Sequence, residues 1–153
     1  LNHIGAGFAA FLGERQYGAT EIDLARIEWA WLESYRSAEA MPLALADIAT
    51  LAEADLLAFP VILHPAMRLL ELAGPELPEL AEFDPQALMI ARPEAQILFH
   101  PLTAVEQAIA EKIADSATMG NLLEHALELS DEATAMQHII KLIQSGALKR
   151  IKG

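Results

Sequence analysis

The stretch Ala87-Leu-Met-Ile-Ala-Arg-Pro-Glu-Ala-Gln-Ile-Leu-Phe-His100 decides the fold. Two short apolar runs, Ala87 to Arg92 and Gln96 to His100, flank the turn-forming Pro93-Glu94-Ala95, which is the pattern of a β-hairpin. Three helical patterns follow. Thr103 and Glu106 stand at capping-box spacing, and Val105, Ile109 and Ile113 form the inner stripe of a helix over 103–115. Thr118 heads a second helix with Leu122, Leu123, Ala126 and Leu127 inward. Asp131 or Ser130 heads a third, where Met136, Ile139, Ile140 and Ile143 recur at i, i+3, i+4 and i+7. Gly146 stands where a helix C-terminal glycine belongs, and Leu148 to Ile151 reads as a short returning strand. Hairpin, three helices and strand together predict a winged-helix-like unit over residues 87–153.

Upstream, Gly74, Pro75, Pro78 and Pro85 punctuate an acidic stretch from Glu71 to Asp84, and this marks a domain boundary. Residues 1–86 then form a helical N-terminal region, and the fold class is mainly α with minor β. Residues 66–72 fit a strand or a helix equally. Pro60 to Pro65 should be extended, because each proline disfavours helix before it. Short helical pieces occupy Ala46–Ala52 and a stretch from about Asp55, and residues 1–12 form a short helix or turn. The clearest helix starts at Thr20, capped with Asp23 three residues on, and runs to about Ala38, ahead of Met41-Pro42. Leu24, Ile27, Trp31 and Tyr35 fall on one side of it, and Ile22, Ala25, Trp29 and Leu32 on the adjacent side. That apolar arc exceeds half the circumference, so the helix is expected to pack on two sides. Glu28 lies between the two groups. It is expected to be a buried carboxylate fixing the packing through a partner, with Arg68 the candidate.

Hydrophobic residues make up 54% of the 153, and charged residues 21%, which predicts a real core rather than a disordered chain. The chain has no cysteine, so disulfides, zinc-thiolate sites, iron–sulfur ligation and a cysteine nucleophile are excluded for it. Apolar runs are interrupted by Asp55, Pro60, Pro65 and Arg68, so no transmembrane helix or secretory leader is readable. A cytoplasmic location fits this composition, and the start at Leu1 predicts a fragment of a longer chain. His3, His64, His100, His125 and His138 form no HExxH or HxxxH pair, and no phosphate loop, GxGxxG or GxSxG occurs. A non-catalytic chain with no metal and no cofactor of its own is expected, working by binding other macromolecules.

Two binding modes are open. A hairpin edge leaves unpaired backbone N–H and C=O groups to which an extended peptide adds as a strand. Gln96, Ile97, Leu98, Phe99 and His100, with Met136, His138 and Ile139 of the third helix, are the candidate peptide-binding residues. The alternative is a DNA-binding regulator. It would use the third helix and the basic cluster Lys149, Arg150 and Lys152, otherwise a solvated tail. A formal charge of −12 disfavours that alternative, since a polyanion is repelled. The third helix also offers a single base, Lys141. Residues 1–86 carry 14 acids against 4 bases, and residues 87–153 carry 8 against 6.

The chain resembles the HvfC/BufC family, whose N-terminal region is catalogued as a DNA-binding domain. The matching pieces are Gly5-Ala-Gly7-Phe8-Ala-Ala-Phe11-Leu12, Leu24-Ala-Arg-Ile-Glu28-Trp29-Ala-Trp31 and Leu63-His64-Pro65-Ala-Met-Arg68-Leu-Leu70. The hairpin over Leu88–His100 and the helices after it match the family's C-terminal region. The resemblance covers nearly the whole chain, with a shorter N-terminal helical region than the family usually has. It implies a partner subunit of a multinuclear non-haem iron oxidase that modifies cysteines in ribosomally made precursor peptides. In that reading the chain helps present the peptide, and the iron ligands belong to the oxidase.

Overall fold

The computed structural model describes residues 19–72 and 87–151. The readings of residues 1–12, the punctuated acidic stretch after Leu72, and Lys152 lie outside them, while Thr20 falls inside the first helix, Ala19–Arg36, rather than ahead of it as a cap. In chain order the elements are α1 (Ala19–Arg36), α2 (Leu45–Ile48), α3 (Glu53–Leu57), β1 (Arg68–Glu71), β2 (Ala87–Ala91), β3 (Leu98–Leu102), α4 (Ala104–Glu111), α5 (Met119–Leu129) and α6 (Glu132–Gln144). The fold is thus mainly α with a minor three-stranded antiparallel sheet, ordered β1-β2-β3.

The apolar run before the acidic stretch becomes a strand because it finds a backbone partner. Arg68 pairs with Ile90 and Glu71 with Ala87, so β1 borders β2. Four residues carry no periodicity that separates strand from helix, and packing decides between them. β2 is central and all five of its residues are buried. One face of the sheet packs on α1, where Ala30 and Ile27 meet Leu70, Leu88, Ile90 and Ile97. The other face supplies Ala87, Met89 and Leu102 to the main core, with Ile109, Leu122, Ile139 and Ile143 from α4–α6 and Leu43, Val61 and Met67 from the earlier segments. A strand buried on both faces needs a continuous apolar sequence, and Ala87-Leu-Met-Ile-Ala91 provides one.

Each helix of the second half starts where its cap stands. Thr103 Oγ1 accepts the Glu106 N–H at 3.3 Å. Thr118 and Asn121 satisfy one another reciprocally, with both backbone-to-side-chain bonds at 3.2 Å. Asp131, rather than Ser130, heads α6 by accepting the Thr134 N–H at 2.8 Å. α6 ends at Gly146 with φ +83°, where the Gly146 N–H reaches Ile143 O and the Ala147 N–H reaches Leu142 O, both at 3.1 Å. This is the left-handed C-terminal cap, which glycine adopts without strain. A Cβ at Gly146 would also stand 2.7 Å from Pro93 Cβ in the hairpin turn, so the position is closed to side chains twice over.

The segment after α6 is not a solvated tail. Leu148 O accepts from Leu43 N, Lys149 N donates to Ile62 O, and Arg150 N donates to Met41 O, at 2.9, 2.7 and 2.7 Å. Residues 147–150 therefore run between the 41–43 and 62–64 segments, bridged to Pro42 and Leu63. His64 anchors the same junction. Fully buried, its Nε2–H donates to Ala40 O at 2.9 Å and its Nδ1 accepts the Ala66 N–H at 3.1 Å.

The rotational phase of the helices differs from expectation. In α1 the buried residues facing the sheet are Asp23, Ala30 and Ser34, with Ile27 partly buried, whereas Leu24, Trp31 and Tyr35 are exposed. Glu28 is exposed too. The buried carboxylate is Asp23, five positions earlier, with Arg26 3.8 Å away. Arg68 turns instead to Glu33 at 3.9 Å and to the carbonyls of Pro65 and Met67. The small stripe wins because a helix lying close on a sheet has room for Ala30 and Ser34 but not for two aromatic rings. In α4, α5 and α6, Val105, Leu127, Met136 and Ile140 likewise stay exposed. Ala135, Ile139, Leu142 and Ile143 form the buried stripe of α6.

Candidate functional site

The outer edge of β3 has no further strand paired to it among the described residues. Pro101 lies within β3, opposite Leu88. A proline is tolerated in a strand with its nitrogen directed away from the neighbour. Alternation along an antiparallel ladder then directs the N–H and C=O of Phe99 outward as well, while Leu98, His100 and Leu102 bond to β2. The edge thus offers a donor and an acceptor at Phe99 and an acceptor alone at Pro101. Phe99 itself is 45% exposed beside Ile90, which is fully buried.

Two hollows flank this strand on the side of α6. The larger, about 510 Å³, lies between the hairpin (Pro93, Gln96, Leu98) and the end of α6 (Ile143, Gln144), floored by Leu43. The smaller, about 10 Å³ and too small for a side chain, is lined by Met89, Leu102, Glu106, His138, Lys141 and Leu142. Between them stands His100. Burial, and then the nearby Lys141 charge, hold its imidazole below the usual histidine range, so it is neutral at pH 7. His100 Nε2 is buried with no hydrogen-bond partner among the described residues. Lys141 Nζ is bonded to Glu106 Oε2 across 35 residues of sequence, and Glu106 Oε1 accepts from the Thr103 hydroxyl at 3.3 Å. The cation of α6 is thereby already neutralised.

Of the residues expected at this site, Gln96, Leu98, His100 and His138 line the hollows or lie between them, and Phe99 presents the edge. Ile97 belongs to the packing against Leu88, Ile90 and α1. Ile139 is 4% exposed and points into the core. Met136 is exposed but two residues from His138, which at about 100° per residue puts it on the opposite flank of α6. Neither Met136 nor Ile139 joins the site. Glu106, Lys141 and Gln144 do, and reading the sequence alone missed them. Glu106 was visible only as a cap residue, and its second role depends on a helix docked 35 positions later.

The basic cluster takes a different position. Lys149 and Arg150 border an open groove of about 990 Å³ with Glu39, Met41, Asp47, Phe59 and Ile62. Arg150 Nη2 lies 3.2 Å from Asp47 Oδ1, so one of the two cations is paired within the chain. Among the described residues no group of three or more His, Asp or Glu side chains is placed to hold a metal ion. None of their helices is long and apolar enough to cross a membrane. No family model, curated protein or solved structure matches this chain.

Proposed function

We propose that this chain is a non-catalytic, cytoplasmic partner protein that binds a peptide-modifying non-haem iron oxidase and helps recruit its ribosomal precursor peptide. The peptide is held as a fourth strand along β3. The observation that carries the reading is the edge at Phe99, unpaired among the described residues, with an exposed ring on one face and a side-chain hollow on the other. Backbone bonds to Phe99 supply affinity, and the hollow at Gln96–Leu98 supplies selectivity for the side chain that enters it. Pro101 limits the added strand to a few residues and discourages indiscriminate pairing. The hairpin, α4–α6 and the returning 147–150 segment act here as a winged-helix-like unit turned to protein recognition. Use of α6 as a DNA reader is disfavoured by the Lys141–Glu106 pair and the Arg150–Asp47 pair, which consume the cations a phosphate backbone would need.

The test is co-purification of the chain with an oxidase and a small cysteine-rich peptide encoded beside it, followed by hydrogen exchange on the complex. Exchange should slow across Leu98–Leu102, and Phe99→Lys should release the peptide. A complex that forms with unchanged exchange in β3, or that keeps its peptide in Phe99→Lys, refutes the edge. Salt-sensitive retention of random duplex, lost in Lys149→Ala/Arg150→Ala, would support the regulator instead.

A further inference from the structure

The outward face of α1 has properties that the β3 edge does not use. Leu24, Glu28, Trp31 and Tyr35 follow one another at i, i+4, i+7 and i+11, within about 60° of arc on the helix surface, and Glu21 adjoins them. Leu24 is 46%, Trp31 40% and Tyr35 58% exposed, and both carboxylates are exposed. The Trp31 and Tyr35 rings are stacked, with centroids 5.4 Å apart and planes 4° from parallel. Trp31 and Tyr35 are thus a pre-formed aromatic pair on the protein surface, and the stripe holds two acids and no base. The same helix buries small side chains one residue out of phase, so its large apolar residues were left to solvent while smaller ones filled the interface.

We propose that this face of α1 is a docking surface for a cationic, amphipathic segment of another protein, with an arginine lying against the Trp31–Tyr35 pair. The chemistry commits the occupant. Guanidinium groups stack on aromatic faces and pair with carboxylates, whereas ammonium groups do the second better than the first. Leu24 supplies the apolar contact, and Glu21 and Glu28 the opposite charge. A second copy of the chain is a poor occupant, because a two-fold contact would bring the acidic stripe of Glu21 and Glu28 against its own copy between molecules of charge −12. Nucleic acid is repelled for the same reason. The net charge also steers a basic partner toward this half, where acids outnumber bases 14 to 4 over residues 1–86.

The experiment titrates the full chain with a synthetic amidated peptide of about eighteen residues, leucines on one helical face and arginines on the other. Binding is followed by calorimetry and by tryptophan fluorescence. The expected result is one site per chain, weakened several-fold by 0.5 M salt, weaker for the lysine version and absent for the glutamate version. Trp31→Ala and Glu28→Lys should each lower affinity about tenfold or more, and Glu28→Lys should leave the thermal midpoint unchanged, since the Glu28 side chain is exposed. Leu127→Ala and Met136→Ala remove equally exposed apolar groups elsewhere and should leave it unaltered. Equal affinity in Trp31→Ala and Glu28→Lys overturns the proposal, as does equal binding of the arginine and glutamate peptides. So does self-association of the chain that is lost in Trp31→Ala. The β3 edge enters none of these outcomes, so the two readings fail separately.

Discussion

Arg92 sits at the end of β2 but acts on α1. Its guanidinium donates from Nη1 to Tyr35 O at 2.5 Å and from Nη2 to Ser37 O at 3.0 Å and Ala38 O at 3.4 Å, in a residue only 7% exposed. These carbonyls lie at the C-terminal end of the helix, where backbone acceptors have no intrahelical donor and the macrodipole is negative. Arg92→Ala removes two good charge-assisted bonds, each worth about 1.5–3 kcal/mol, and a third, long one that counts for little. Some of the loss returns as water reaches the vacated carbonyls, so the expected cost is about 3 kcal/mol. That is a large share of a domain's usual stability of roughly 5–15 kcal/mol. In urea, with a slope near ~2 kcal/mol/M, the midpoint should fall by about 1.5 M without a change of slope. Arg92→Lys keeps the charge but not the planar fork, and should recover less than half of the loss. A cost below about 1 kcal/mol, or full recovery by lysine, would refute the idea that a directed guanidinium cap holds α1 on the sheet.

Three further outcomes follow from the same geometry. Gly146→Ala should destabilise by about 2 kcal/mol or more, from the left-handed backbone and the Pro93 contact together, read by the thermal midpoint. His64→Ala should cost about 3 kcal/mol, because Ala66 N–H and Ala40 C=O are left without a partner in a closed site; urea denaturation checks it. The lowered His100 pKa means that the unfolded chain takes up a proton the folded chain resists, so His100 stabilises fully above pH 6.5 or so and progressively less as pH falls below it. His100→Leu should flatten that fall below about pH 6.5 and cost little at pH 7.5, since the Nε2 atom it removes is buried without a partner among the described residues.

Much of the helical half could be read from local chemistry. Thr103, Thr118 and Asp131 mark the helix starts and Gly146 the end of α6 through bonds made within a few residues, so these boundaries follow from spacing alone, whereas α4 stops at Glu111 rather than at 115. The hairpin was legible as two apolar runs about a proline turn, but its second strand is Leu98–Leu102, two residues later than the run Gln96–His100. What local chemistry leaves free is rotation about each helix axis. The apolar arc of α1 is wide enough for several phases, and the sheet selected the one with small residues inward. That choice exposed Glu28 and buried Asp23. The same one-residue shift in α6 buried Ala135 and Leu142 and left Met136 and Ile140 to solvent.

The sequence by itself determined where the last three helices begin, that a core exists, and that no cysteine chemistry belongs to this chain. Only the tertiary structure decided that residues 68–71 are a strand, that β3 lies at the edge of the sheet among the described residues, and which side of each described helix meets water. The physical reason is one of range. Caps and turns are completed by bonds to near neighbours, whereas strand pairing and helix phase are settled by groups far away in the chain. Examples are Arg68 with Ile90, Arg92 with Tyr35 and Lys141 with Glu106, contacts that exist only once the core has closed.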